Sequence, residues 1–80
     1  MSEFSVRGTR VVVVGGAASG TAAARLLAER GARVTLTDVR PAIDGQDALR
    51  LIGVDLVLGA NPPDLLAHAG LVIVSPGVPL

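Results

Sequence analysis

The sequence predicts a three-layer α/β domain, a parallel sheet with helices on both faces. Three observations carry that expectation. A β-branched run, Val11 to Val14, leads into a glycine-containing turn and then an alanine-rich stretch of helical spacing. Strand-like and helix-like apolar segments alternate along the rest of the chain, with no internal repeat, low-complexity tract or linker. The length, 80 residues with half of them apolar, supports one small core spanning 1–80 and leaves no room for a second domain.

Each element has its own signal. Arg10 to Val14 suits a strand buried on both faces, the habit of a parallel-sheet centre. A helix should follow from about Ser19 to Arg30, with Ala and Leu on its packing side and Gly31 placed to end it in a left-handed cap. In "ARVTLTD", Ala32 to Asp38, Val34 and Leu36 alternate with Thr35 and Thr37, which reads as a second strand. Asp44 is a candidate cap for a short helix over roughly Gln46 to Ile52, and "VDLVLG" then gives a shorter third strand. Asn61 followed by Pro62 marks another helix start, running to about His68. "LVIVSPG", Leu71 to Gly77, supplies a fourth strand ending in a Ser-Pro-Gly turn. With right-handed crossovers this order predicts a Rossmann-like parallel sheet, 3-2-1-4.

Composition removes several classes of function. The formal charge is zero and the seven arginines are scattered, so neither a nucleic-acid nor an anionic-membrane partner is expected. With one Phe and no Trp or Tyr there is no platform for base stacking. The absence of Cys removes disulfides, thiolate metal sites and thiol catalysis. Arg7 and Arg10 precede an uncharged run, Val11 to Ala24, that loosely resembles a secretory segment. Only its first four residues are strongly apolar, and Glu3 spoils the positive leader, so a cytoplasmic soluble domain is the expectation. His68 is the lone imidazole and has no evident partner, so no metal site and no catalytic residue are expected.

The predicted topology gathers three separate stretches into one crevice at the carboxyl ends of the strands, where the crossover direction reverses between strands 1 and 4. These are the Gly15–Gly20 loop, Asp38-Val39-Arg40 and Ser75-Pro76-Gly77. The first loop departs from the dinucleotide fingerprint Gly-x-Gly-x-x-Gly, because Ala17 stands at its second glycine. Backbone N–H groups near Ala17, Ala18 and Ser19 would still point outward at the helix start and favour an anion, with the Ser19 hydroxyl beside them. The alternative is that Gly15, Gly16 and Gly20 serve only a tight turn and close packing. Asp38 could accept from ribose hydroxyls, from the N–H groups of a base, or from its own turn. Arg40 could lie flat over a base or remain a solvated surface group. Gly77 would admit a flat ring close to backbone, with Pro76 fixing the turn.

"VVVVGGAASGTAAARLLAERG", "TDVR" and "LVIVSPGVPL" together resemble the amino-terminal domain of the Mur ligases, over nearly the whole chain. The resemblance implies a domain that grips the UDP part of a nucleotide-sugar substrate, here UDP-N-acetylmuramoyl-L-alanine by similarity to the members that add D-glutamate. It places Ala18 and Ser19 at the diphosphate, with Gly15, Ala17 and Gly20 of the same loop also in the UDP site. Asp38, Val39 and Arg40 surround the uracil, and Ser75, Pro76 and Gly77 close its other side. The family often has a second Gly where Ala17 stands and a bulkier aliphatic where Ala18 stands. The resemblance further implies a truncated chain, because a ligase that activates a carboxylate with ATP and Mg needs central and carboxy-terminal domains. ATP and D-glutamate would be bound there, and no cofactor by these residues. The chain has no Lys and no Gly-x-x-x-x-Gly-Lys-Ser/Thr loop, so no ATP cradle of that type is present. The alternatives are another Mur ligase member and an NAD-binding oxidoreductase domain, which Asp38 favours and Ala17 does not.

Overall fold

The computed structural model describes residues 5–60 and 64–74. The Asn61-Pro62 helix start and the Ser75-Pro76-Gly77 turn lie outside the described residues. In chain order the elements are β1 (Arg10–Val14), α1 (Ala18–Glu29), β2 (Arg33–Asp38), α2 (Gln46–Leu51), β3 (Asp55–Leu58), α3 (Asp64–Ala67) and β4 (Leu71–Val74). All strand pairs are parallel and the order across the sheet is β3-β2-β1-β4.

The β-branched run earns its place at the centre. β1 has a strand on each edge, and Val11, Val12 and Val13 are at most 1% exposed. Val11, Val13, Val34 and Leu36 share one face, where Ala24 of α1, Leu49 of α2, Ile43 and Val54 complete the core. Val12 and Thr35 point to the opposite face by alternation and line a cavity with Asp64 and Leu65 of α3, which makes the third layer. Right-handed crossovers explain the arrangement. Stepping from β1 to β2 to β3 keeps α1 and α2 on one face, and the return past β1 to β4 puts α3 on the other.

Local chemistry sets the ends of the elements. Gly31 has φ +90°, and the bonds Gly31 N–H to Ala28 O and Ala32 N–H to Leu27 O, both 3.1 Å, close α1 in a Schellman motif. The helix itself spans one residue earlier at each end than its sequence signal. Asp44 is not the cap of α2. That position is taken by Gly45 in the left-handed region, φ +78°, with no side-chain capping bond. Gln46 instead reaches back, its Oε1 accepting the Ile43 N–H at 2.9 Å. β3 stops before Gly59, whose φ of +84° turns the chain so that its N–H donates to both Asp38 O and Arg40 O at 2.9 Å.

Candidate functional site

In register, Val14 of β1 lies opposite Thr37 of β2 and Val74 of β4, so the three strands end level at the switch point. The loop leaving β1 is built for a close turn. Gly15 has φ +104° and extends the ladder by one bond, its N–H donating to Thr37 O at 2.8 Å. At Gly16 a Cβ would sit 2.8 Å from both Cδ1 and Cγ2 of Ile43, closer than carbon atoms pack, so the space is already filled by Ile43. Ala17 then takes the cap position of α1 with extended backbone and no side-chain capping bond. The first turn of α1 carries no acidic residue, and Ala18 and Ser19 are exposed there. First-turn N–H groups have no partner within their helix, so this end offers donors and a partial positive charge to an anion. Gly20 is buried against the sheet side.

The end of β2 faces this loop, and Asp38 is its centre. Though only 7% exposed, the carboxylate accepts four hydrogen bonds. Oδ2 takes the Gly16 N–H at 2.7 Å and Arg40 Nη2 at 2.8 Å; Oδ1 takes the Arg40 N–H at 2.8 Å and Arg40 Nε at 3.0 Å. The Arg40 side-chain bonds hold the carboxyl far below the usual carboxylate range. Burial opposes this, and the backbone donors of Arg40 and Gly16 reinforce it. Asp38 correspondingly raises the Arg40 pKa. Behind it, Thr37 Oγ1 donates to Val57 O and Ala60 O at 3.0 and 2.9 Å, tying β2 to the chain that leaves β3. Val39 and Arg40 are exposed beside the crevice.

Thus Gly15, Ala17, Ala18, Ser19, Gly20, Asp38, Val39 and Arg40 do converge at the carboxyl edge, across large sequence separations. In the structure Asp38 accepts from its own turn and from the neighbouring loop. His68 lies apart, lining the cavity under α3 with Arg10 and Arg33, which stand at the starts of β1 and β2. Sequence reasoning missed Ile43 as the plug that makes Gly16 necessary. Its signal was the one large aliphatic side chain in the connection Pro41-Ala42-Ile43-Asp44-Gly45 between the second strand and the next helix. Among the described residues no group of three or more His, Cys, Asp or Glu could hold a metal ion.

Fold and loop define a Rossmann-like α/β domain whose α1 start, at the switch point, has no side-chain cap and no acidic residue. The chain belongs to the family described as Mur ligase MurD-like, N-terminal domain, whose model matches residues 9–80. It is 47% identical to the UDP-N-acetylmuramoylalanine--D-glutamate ligase of Myxococcus xanthus over 96% of the chain, and 49% identical to that of Anaeromyxobacter dehalogenans over 100% of it. The match covers 18% of the length of each of these curated relatives, so the chain spans less than a fifth of them. Among solved structures, an HOCl-induced flavoprotein disulfide reductase from Escherichia coli, determined as a Cu(II) complex, superposes with a TM-score of 0.60 at 24% identity, over 66% of this chain and 14% of that one. That likeness shows the fold alone.

Proposed function

We propose that this chain is a single UDP-binding domain, residues 1–80, which holds the UDP moiety of UDP-N-acetylmuramoyl-L-alanine for an ATP-dependent, D-glutamate-adding ligase of peptidoglycan precursor synthesis in the cytoplasm. The observation that carries the reading is the uncapped start of α1, free of acidic side chains, beside the end of β2 with its exposed arginine. Family membership supports it, and the names of the relatives supply the nucleotide sugar and the amino acid. In this reading Gly15 and Gly20 shape the turn while the N–H groups of Ala17, Ala18 and Ser19 take the diphosphate. Asp38, Val39 and Arg40 form one wall of the uracil pocket, and Ser75, Pro76 and Gly77 form the other.

The chemical steps belong to other parts of the ligase. In this reading ATP and Mg2+ are held by those other parts, and the chain has no Gly-x-x-x-x-Gly-Lys-Ser/Thr loop of its own. The domain's contribution is to bind and orient. Calorimetric titration of the 80-residue chain with UDP and with NAD tests the reading. UDP is expected to bind more tightly, and a tenfold preference for NAD would overturn it.

A further inference from the structure

The Asp38 carboxylate is full. An ionised carboxylate offers about four lone-pair positions, and here all are taken: by Gly16 N–H, by Arg40 N–H, and by Arg40 Nε and Nη2. A ligand that hydrogen-bonds to Asp38 must therefore remove a donor already present. The four donors are not equally replaceable. The Gly16 amide belongs to a loop wedged against Ile43, and its bond to Asp38 is buried. The Arg40 amide is fixed by the turn, whose carbonyl is in turn held by Gly59 N–H. The guanidinium alone sits on a flexible stem. Its side chain is 53% exposed, so water can take over its N–H groups when it leaves, whereas the Asp38 side chain is 8% exposed and needs another donor in its place.

From this geometry we propose that Arg40 keeps the ligand's place on Asp38 in the free protein, and that binding of a nucleobase carrying an imide N–H swaps the guanidinium off the carboxylate. The proposal rests on the uridine nucleotide reading above and adds how the site opens. Gly16 and the Arg40 backbone keep Asp38 aimed at the crevice throughout, so the carboxylate is presented ready-made once the guanidinium leaves. The imide N–H takes one vacated acceptor position. The released guanidinium, tethered two residues from Asp38, stays beside the bound ligand, where its planar face can lie on the base and its charge complements the diphosphate. A buried carboxylate is thereby never left without a charged or hydrogen-bonding partner in either state.

The test follows the Arg40 Nε–H resonance in 15N-labelled 80-residue chain, assigned by its loss in Arg40→Lys. In the free protein this proton should exchange slowly with water. Saturation with UDP should speed its exchange tenfold or more while the Gly16 amide keeps its bond to Asp38. N3-methyl-UDP, which lacks the imide donor, should bind at least tenfold more weakly and leave the Arg40 Nε–H as it is in the free protein. UDP binding with an unchanged Arg40 signal overturns the swap and leaves the nucleotide reading standing. Equal displacement of the arginine by N3-methyl-UDP also overturns it. UDP binding to Arg40→Met but not to the wild-type chain also overturns the swap, since the arginine then blocks the seat instead of leaving it. Failure of both proteins to bind UDP, with intact thermal unfolding, removes the nucleotide reading and the swap together.

Discussion

At the scale of single residues, Asp38 and Gly16 act as one unit although they stand 22 positions apart in the chain. The carboxylate orders the loop after β1 from the end of β2, and Ile43 fills the space that Gly16 leaves. Two predictions follow from these contacts. Asp38 has its pKa depressed in the folded chain, so its contribution to stability is present above the ordinary carboxyl value of about 4 and is lost as pH falls below it toward the folded value. Thermal unfolding should therefore show stability falling below about pH 4, and Asp38→Asn should be less stable at neutral pH and flatten that acid limb. An acid limb identical in wild type and Asp38→Asn would contradict the role. Gly16→Ala should cost about 1–3 kcal/mol through overpacking against Ile43. Ile43→Ala alone should cost about 2–5 kcal/mol as a core truncation. The double variant should lose less than the sum, because the two changes share one space. Urea unfolding of the four proteins measures the coupling.

The place of Asp38 was legible in the sequence, because an acid closing "VTLTD" must fall at the crevice once strand order is set. Its partners were not. Which donors reach a carboxylate depends on the path of the loops around it, and neither the Gly16 amide nor the folded-back Arg40 side chain leaves a pattern in residue spacing. The alternative of a tight turn and close packing holds at Gly16 through packing: its φ is not in the left-handed region, and the constraint there is a neighbour's side chain.

At the scale of elements, β1 and its neighbours were readable because burial on both faces leaves a continuous β-branched run, and the glycine turn after it pointed, among the orders that right-handed crossovers allow, to 3-2-1-4. The Gly31 cap was readable for the same kind of reason, since few residues other than glycine tolerate φ +90°. The start of α2 was not, because a left-handed glycine and a reaching glutamine do the work that a capping Asp44 would have done. In the proposed function the element that matters for binding is α1. If its N–H groups hold the diphosphate, Ser19→Ala should weaken UDP binding by no more than about 1.5–3 kcal/mol, one hydrogen bond to a charged group. Gly20→Val should do more harm, to both binding and stability, because a branched side chain enters a buried position in the first turn. Calorimetry paired with ligand-free thermal unfolding separates the two effects. Loss of binding in Ser19→Ala with retention in Gly20→Val would assign the anion to the hydroxyl.

At the scale of the whole molecule, the two faces of the sheet are unevenly covered by the described residues. α1 and α2 close one, while on the other α3 is a single turn and Val72 and Val74 of β4 remain 41% and 63% exposed. Among the described residues no helix is long and apolar enough to cross a membrane. Val74→Thr should accordingly change the stability of this chain by no more than about 0.5 kcal/mol, the usual range at exposed sites, and raise its solubility. A loss well beyond that in urea unfolding would mean that Val74 is packed in solution.

The claim that joins these scales is that the carboxyl edge between β1 and β2 is the nucleotide seat. Backbone amide shifts recorded during titration of the 15N-labelled chain with UDP test it most directly. The account predicts that the largest changes fall at Ala17, Ala18, Ser19 and Gly20 and at Val39 and Arg40, with Arg10, Arg33 and His68 at the opposite end of the sheet nearly still. Saturable changes centred on Arg10, Arg33 and His68, with the α1 start unmoved, would contradict it.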